Sequence, residues 1–269
     1  MSVTMELLRF GADCLRPVTD RARLEAEILL GFCAGLSRSE LIISDEIKVN
    51  EEKYRDLISR RANYEPLEYI FGKVSFYARE FICEHGVLIP RPETELLIDH
   101  TVEAIKHIDN PLIYEIGTGS GVISIMLAIL RPDARIIATD IDEKAVMLAQ
   151  KNAAKFEVND RITFVQTNYL DGIGGQCDIL VSNPPYIAAN YPLDKTVLFE
   201  PKAALIGGKT GVETLLEIIA LAHERGVALA CECGYDQKAA VSSALKKHGY
   251  KHIALYNDYA GHFRGFSAR

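Results

Sequence analysis

The sequence predicts an α/β protein in which a small helical segment precedes a mostly parallel sheet of seven strands, with a β-hairpin between the two. Three observations support this prediction. Residues 1–72 show helical spacing of apolar residues and no strand-like run. Residues 73–90 are rich in β-branched and aromatic residues. Residues 91–269 alternate short apolar strands with helices, which is typical of a parallel sheet covered on both faces. We therefore expect a helical domain, a linking hairpin and an α/β domain with these boundaries.

The first segment carries helix signals at several points. Its candidate helices are Arg21–Leu36, Ser39–Ser44, Glu51–Ala62 and Pro66–Gly72. Ser37 and Glu40 have the spacing of a capping box, in which each side chain caps the other residue's backbone N–H. Asn50 is a candidate N-cap for the helix that follows it. In the second segment, we expect Glu84-His85-Gly86 to form the turn of the hairpin.

The third segment supplies the predicted sheet. Its candidate strands are residues 112–117, 135–140, 161–166, 177–183 and 227–234, followed by two strands within 251–269. Its candidate helices are residues 121–130, 143–156, 211–226 and 236–249. The two last strands surround a glycine-containing turn, so we expect an antiparallel pair at the C-terminal edge of the sheet.

Composition limits the possible functions. A hydrophobic content of 48% predicts a substantial core, and a net charge of -7 argues against a broad nucleic-acid-binding surface. The six cysteines form no C-x-x-C pair, so we expect reduced core thiols in a cytoplasmic protein and no metal site. We find neither a signal-peptide pattern nor an apolar run of transmembrane length.

A glycine loop, Gly117–Gly121, follows the first strand of the predicted sheet. Its three glycines permit a tight turn and a close approach of the backbone to a ligand. Asp140 ends the next strand, where its carboxylate could accept hydrogen bonds from ribose hydroxyls. The spacing is G-x-G-x-G and not the dinucleotide pattern G-x-G-x-x-G, and no P-loop lysine follows. The pattern therefore favours a nucleoside ligand without phosphates.

This loop and Asp140 resemble the first two motifs of class I S-adenosylmethionine-dependent methyltransferases. The resemblance implies S-adenosyl-L-methionine as the cofactor and S-adenosyl-L-homocysteine as the product. It also implies a Rossmann-like fold.

The NPPY segment, Asn183–Tyr186, follows a later strand of the same sheet, so its side chains should reach the same crevice. The nitrogen of a planar amide or of an exocyclic amine is a poor nucleophile because its lone pair is delocalised. The Asn183 side-chain oxygen and the Pro184 carbonyl could accept the two NH₂ hydrogens of such a group and localise that lone pair. Tyr186 could stack on the flat group, and the prolines Pro184 and Pro185 keep the turn rigid. The segment therefore predicts methylation of a planar nitrogen.

Further segments of the sequence indicate which group of methyltransferases the chain resembles. They are Leu67–Gly72, Val87–Glu95, Ile116–Gly121, Val181–Ile187 and Phe199–Leu205. Together they resemble the protein-(glutamine-N5) methyltransferases of the PrmC/HemK type. That family methylates the glutamine in the Gly-Gly-Gln loop of peptide chain release factors, and its N-terminal helical domain helps to hold the release factor.

The resemblance also implies roles for individual residues. Catalysis is expected from Asn183, Pro184 and Tyr186. The implied cofactor-binding residues are Gly117, Thr118, Gly119, Ser120, Gly121, Asp140 and Asn183, with either Asn168 or Tyr169 near the adenine. The implied substrate-binding residues are Asn183, Pro184, Pro185 and Tyr186, with Arg91, Pro92 and Glu93 at the site entrance.

Alternative functions follow from the same residues. The NPPY segment also occurs in methyltransferases that act on DNA adenine or cytosine and on guanine in ribosomal RNA, although the acidic charge leaves little room for duplex binding. A binding module without activity is a third hypothesis. Gly174-Gly175-Gln176 matches the family's substrate tripeptide, and we interpret it as a coincidence in a turn. We expect a monomer that contacts no nucleic acid or membrane.

Overall fold

The structure is a computed structural model that describes residues 3–43 and 47–269, except for the side chain of Ile42. Its internal packing divides the chain into two compact units. The smaller unit contains the residues up to 72 together with 194–199, and the larger contains residues 73–193 and 200–269.

The smaller unit is helical. Its helices are α1 Val3–Leu15, α2 Ala22–Ala34, α3 Arg38–Ile43, α4 Glu51–Ala62 and α5 Leu67–Phe71. The capping box is confirmed, because Ser37 N donates to Glu40 Oε2 at 2.7 Å and Glu40 N donates to Ser37 Oγ at 3.2 Å. Asn50 Oδ1 accepts a hydrogen bond from Lys53 N at 3.0 Å, which confirms the N-cap of α4. Ser44, the last residue of one predicted helix, lies outside the described residues.

A two-stranded hairpin opens the larger unit, formed by β1 Lys73–Phe76 and β2 Arg79–Ile82. Glu84–Gly86 do form a turn, since Val87 N donates to the Glu84 carbonyl at 3.3 Å, but this turn follows β2. Its assignment as the hairpin turn is wrong, because the strands are joined by Tyr77 and Ala78. Both residues have a positive φ, 53° and 54°, which a two-residue hairpin turn requires and which glycine or asparagine usually supplies. Tertiary contacts hold this turn in place, since Tyr77 N donates to Glu95 Oε1 at 2.7 Å. The turn therefore carries no local sequence signal.

The seven-stranded sheet confirms the predicted fold class. Its strands are β3 Leu112–Ile116, β4 Arg135–Asp140, β5 Ile162–Gln166, β6 Ile179–Ser182, β7 Ala228–Glu232, β8 Ile253–Asn257 and β9 Phe263–Ala268. Their order is β5-β4-β3-β6-β7-β9-β8. The first five are mutually parallel, whereas β9 runs antiparallel to both β7 and β8.

The larger unit also contains five α-helices among the described residues: α6 Thr94–Ala104, α7 Val122–Leu130, α8 Glu143–Lys155, α9 Glu213–Arg225 and α10 Lys238–Lys247. Four of them match predicted helices, and α6 was not predicted. All four residues of the central strand β6 are buried, as expected for a strand covered on both faces.

The cysteines and helices give two further facts about the described chain. All six cysteines are free, and four of them, Cys83, Cys177, Cys231 and Cys233, are buried. Among the described helices, none combines the length and apolarity needed to cross a bilayer.

Candidate active site

The ends of three neighbouring strands bring the predicted site residues together. Ile116, the last residue of β3, pairs with Thr139 on β4 and with Ser182 on β6. The Ser182 hydroxyl also donates to the Ile116 carbonyl at 2.8 Å. Because these three residues lie at one level of a parallel sheet, the glycine loop, Asp140 and Asn183 follow them side by side.

A cavity of about 340 Å³ lies at these strand ends. Eight predicted site residues line it: Gly117, Gly119, Asp140, Asn168, Tyr169, Asn183, Pro184 and Pro185. Its volume falls within the usual range for small-molecule sites.

The glycine loop presents bare backbone to the cavity. Gly117 and Gly119 have φ values of 75° and 55°, and a Cβ atom built on either would meet no atom within 4 Å. A side chain there would therefore extend into open space and reduce the room for a ligand. Gly121 has another purpose, because its Cβ would lie 3.0 Å from the Cβ of Ala149 on α8. Its missing side chain lets the start of α7 pack closely against α8.

The Asp140 carboxylate accepts two hydrogen bonds from backbone N–H groups. Its Oδ2 accepts from Gly119 N at 2.8 Å and its Oδ1 accepts from Asp142 N at 3.0 Å. Burial raises the pKa of this carboxyl above its usual value, against the lowering effect of these hydrogen bonds. A carboxylate has about four acceptor positions, so lone pairs remain for a ligand.

Asn168 and Tyr169 differ in the hydrogen bonds of their side chains. The Tyr169 hydroxyl donates to the Glu217 carboxylate, and its backbone carbonyl accepts from Thr139 Oγ1 at 2.7 Å. The Asn168 side chain is exposed and has no hydrogen-bond partner among the described residues. Asn168 therefore has a free amide at the cavity, whereas the polar group of Tyr169 is occupied.

The NPPY segment presents two acceptors without internal partners. Asn183 Nδ2 donates to the Thr94 hydroxyl at 3.0 Å. Within the described chain, neither Asn183 Oδ1 nor the Pro184 carbonyl accepts a hydrogen bond. Both residues line the cavity, so this pair of oxygens can receive two hydrogens from a bound molecule.

Neighbouring residues hold the main chain of the second half of the NPPY segment. Gln237 Nε2 donates to the Tyr186 carbonyl at 2.8 Å and to the Gly211 carbonyl at 3.1 Å. A Cβ atom on Gly207 would lie only 2.2 Å from the Pro185 carbonyl oxygen. The loop that contains these two glycines therefore packs directly on the main chain of the NPPY segment.

Six predicted site residues do not line the cavity: Thr118, Ser120, Gly121, Tyr186, Arg91 and Glu93. The Tyr186 hydroxyl donates to Glu232 Oε1 at 3.1 Å. Arg91 forms an ion pair with the buried carboxylate of Glu200, and Glu93 directly precedes α6. Pro92, expected beside them, is exposed.

Sequence analysis missed Glu115, a fully buried residue of β3 below the glycine loop. Its Oε2 accepts hydrogen bonds from the hydroxyls of Thr118, at 2.9 Å, and Ser124. Burial raises the pKa of this carboxyl to about 7. A charged residue inside an apolar strand was the available signal, since such a residue is rarely buried without a role.

Two family descriptions match the chain. Residues 6–72 match the PrmC N-terminal domain, and residues 92–199 match the methyltransferase small domain. Among solved structures, the N-terminal domain of human METTL16 in complex with SAH is similar in fold, with a TM-score of 0.54 and 18% identity over 84% of this chain and 86% of that one.

Curated relatives are considerably closer in sequence. The release factor glutamine methyltransferase of Chlorobaculum tepidum is 37% identical over 92% of this chain and 90% of its own length. The bifunctional methyltransferase of Rickettsia conorii is 36% identical over 90% of this chain, which spans 53% of that longer protein. With this identity over nearly the full length of the first relative, the chain belongs to the release factor glutamine methyltransferase family.

Proposed function

We propose that this protein methylates the side-chain amide nitrogen of glutamine in the Gly-Gly-Gln motif of peptide chain release factors, with S-adenosyl-L-methionine as the methyl donor. The observation that carries the proposal is the pair of unpartnered acceptors, Asn183 Oδ1 and the Pro184 carbonyl, in the cavity that Asp140 and the glycine loop also line. A primary amide has two N–H donors, which this pair of acceptors complements.

The residues of the cavity fit the cofactor. The open faces of Gly117 and Gly119 leave room for its methionine part, and Asp140 has free lone pairs for the ribose hydroxyls. Asn168 has a free amide for the adenine. When bound there, S-adenosyl-L-methionine supplies an electrophilic methyl group and leaves as S-adenosyl-L-homocysteine.

The protein's own residues orient the amide and polarise it. Asn183 Oδ1 and the Pro184 carbonyl accept the two amide hydrogens, which localises the nitrogen lone pair for attack. The rigid prolines and the anchored backbone keep these acceptors in place, so little reorganisation accompanies the reaction. The methylated nitrogen is acidic enough to release its extra proton to water. None of the described side chains needs to act as a general base.

The proposal assigns a separate role to each part of the chain. Residues 1–72 form a substrate-docking domain, residues 73–90 a linker and residues 91–269 the methyltransferase domain. The match of residues 6–72 to the PrmC N-terminal domain supports the first assignment. We infer that the protein acts on release factors in the cytoplasm as a monomer, without direct contact with nucleic acid or membrane. Arg91 and Glu93 are proposed to lie near the site entrance.

A labelling experiment tests the proposal. The protein is incubated with methyl-labelled S-adenosylmethionine and a purified release factor, and the labelled peptide is sequenced. We expect label on the glutamine of Gly-Gly-Gln and none on a release factor in which that glutamine is replaced by alanine. Label elsewhere on the factor, or label that nuclease removes, would contradict the proposal.

The Asn183→Ala variant tests the role of the side-chain acceptor. We expect kcat to fall roughly 10²-fold or more, because removing one oriented polar group from an active site costs about 3 kcal/mol in the transition state. Cofactor affinity should change much less. An unchanged kcat would refute the assigned role.

A further inference from the structure

A buried carboxylate lies behind the NPPY segment. Glu232, the last residue of β7, has 0% exposure. Its Oε2 accepts a hydrogen bond from Thr94 Oγ1 at 2.7 Å, and its Oε1 accepts one from the Tyr186 hydroxyl at 3.1 Å. Glu232 lines no part of the cavity, yet each of its oxygens is one or two contacts from a residue of the NPPY segment.

The single hydroxyl hydrogen of Thr94 determines which way the Asn183 side-chain amide faces. A threonine hydroxyl has one hydrogen, and that of Thr94 is donated to Glu232. The Thr94 oxygen can then only accept from Asn183, which donates through Nδ2 at 3.0 Å. If the amide were turned over, two oxygens would face each other without a hydrogen between them. The carboxylate of Glu232 therefore keeps the Asn183 oxygen on the side away from Thr94.

We propose that ionised Glu232 is a positioning residue for glutamine methylation, which orients the Asn183 amide through Thr94 and holds the Tyr186 ring directly. This inference rests on the proposed function, since it concerns the acceptor that binds the substrate amide. Glu232 itself touches neither the cavity nor a reacting atom.

The charge state of Glu232 gives this arrangement a pH dependence. Burial raises the pKa of Glu232 to about 7, with Glu93 acting in the same direction and Arg264, Thr94 and Tyr186 against it. Cys233 and Tyr256 also interact with the charge of Glu232, and Cys231 directly precedes it. One contact further away, Asp258 pairs with Arg264 and His100 stacks on Tyr256.

Protonation would turn one oxygen of Glu232 into a donor. Either Thr94 or Tyr186 would then lose its acceptor, and a Thr94 hydroxyl released in this way could donate to the oxygen of Asn183 and reverse its amide. The active form is the ionised one. Methylation at saturating substrates should therefore rise as pH increases through about 7.

The experiment compares kcat between pH 5.5 and 9 for the wild type, Glu232→Gln, Thr94→Val and Thr94→Ser. In the wild type, we expect an inflexion of kcat near pH 7. Glu232→Gln should lose this inflexion and be roughly tenfold slower at pH 8.5, because a hydrogen bond to a charged acceptor is replaced by a weaker one to a neutral amide. Thr94→Val should lose about the same, and Thr94→Ser should recover most of that loss because it keeps the hydroxyl. The double variant Glu232→Gln/Thr94→Val should be little slower than Glu232→Gln alone, since Thr94 acts through its contact with Glu232.

A matched control is Thr101→Val. Thr101 is also a buried threonine of α6, but its hydroxyl donates to the Leu97 carbonyl of the same helix at 2.7 Å. We expect its kcat and pH profile to equal those of the wild type. Circular dichroism and the affinity for S-adenosylhomocysteine show whether each variant is folded, and if Glu232→Gln is not, the two Thr94 variants decide the question.

Two results would overturn the inference. One is a Glu232→Gln enzyme that keeps the wild-type inflexion and rate. The other is equal activity of Thr94→Val and Thr94→Ser. Both differ from failure of the proposed function, in which the wild type itself would place no label on the glutamine.

Discussion

Replacing Gly119 by alanine separates the ligand-binding role of the glycine loop from its backbone strain. Gly119 has a φ of 55° and its added methyl group would meet no protein atom within 4 Å, so it would extend into the cavity. Gly226, which caps the C-terminus of α9, has a similar φ of 65° and is equally open, but it does not line the cavity. Gly226→Ala is therefore a control for strain.

General energies for strained backbone and for overpacking give the expected size of the two effects. Left-handed backbone costs an alanine about 1–2 kcal/mol, and both variants should lose this much free energy of unfolding. Gly119→Ala should in addition crowd the bound cofactor, and overpacking of this kind costs about 1–3 kcal/mol. That range corresponds to a roughly 5- to 150-fold weaker Kd.

Calorimetric titration with S-adenosylhomocysteine measures the affinity, and urea denaturation followed by circular dichroism measures the stability. We expect similar stabilities for the two variants and a weaker Kd for Gly119→Ala alone. If Gly119→Ala bound the nucleoside as tightly as Gly226→Ala does, the cofactor would not lie over this loop, and the reasoning would be refuted.

Three further predictions concern the same cavity. Asp140→Ala should raise the cofactor KM much more than it lowers kcat, as steady-state kinetics would show; a selective loss of kcat would argue against ribose binding. Asn168→Ala should weaken S-adenosylhomocysteine binding more than Tyr169→Phe does, because the Asn168 amide is free whereas the Tyr169 hydroxyl is paired with Glu217. The reverse order in calorimetry would assign the adenine contact to Tyr169. For Glu115, the pKa is raised to about 7, so its stabilising contribution is complete below the unfolded value near 4.5 and is lost as pH rises through about 7. Glu115→Gln keeps an acceptor for both hydroxyls. Its free energy of unfolding, measured relative to that of the wild type by urea denaturation, should increase by roughly 3 kcal/mol between pH 4 and pH 8. A difference between the two proteins that does not change with pH would contradict the buried charge.

Local patterns in the sequence were sufficient for the succession of the seven strands along residues 112–269 and for three positions of the site. Strand periodicity placed the glycine loop, Asp140 and the NPPY segment at strand ends, and adjacent parallel strands bring such ends together. The capping box at Ser37 and the N-cap at Asn50 were equally readable, because each joins residues three apart.

Contacts between distant residues decided the rest. The hairpin turn at Tyr77 and Ala78 has no glycine and is held by Glu95. The pairing of the Tyr169 hydroxyl depends on Glu217, which lies 48 residues beyond Tyr169 in the chain.

The amino-acid sequence by itself determined the fold class, the family and eight of the residues that line the cavity, since these depend on periodicity and on short motifs. Only the tertiary structure showed what orients them. Thr94 and Glu232 are 138 residues apart, and their contact depends on α6 packing near the end of β7. A hydrogen bond between residues so far apart in the chain leaves no local pattern, because it forms only when the folded chain removes both groups from water.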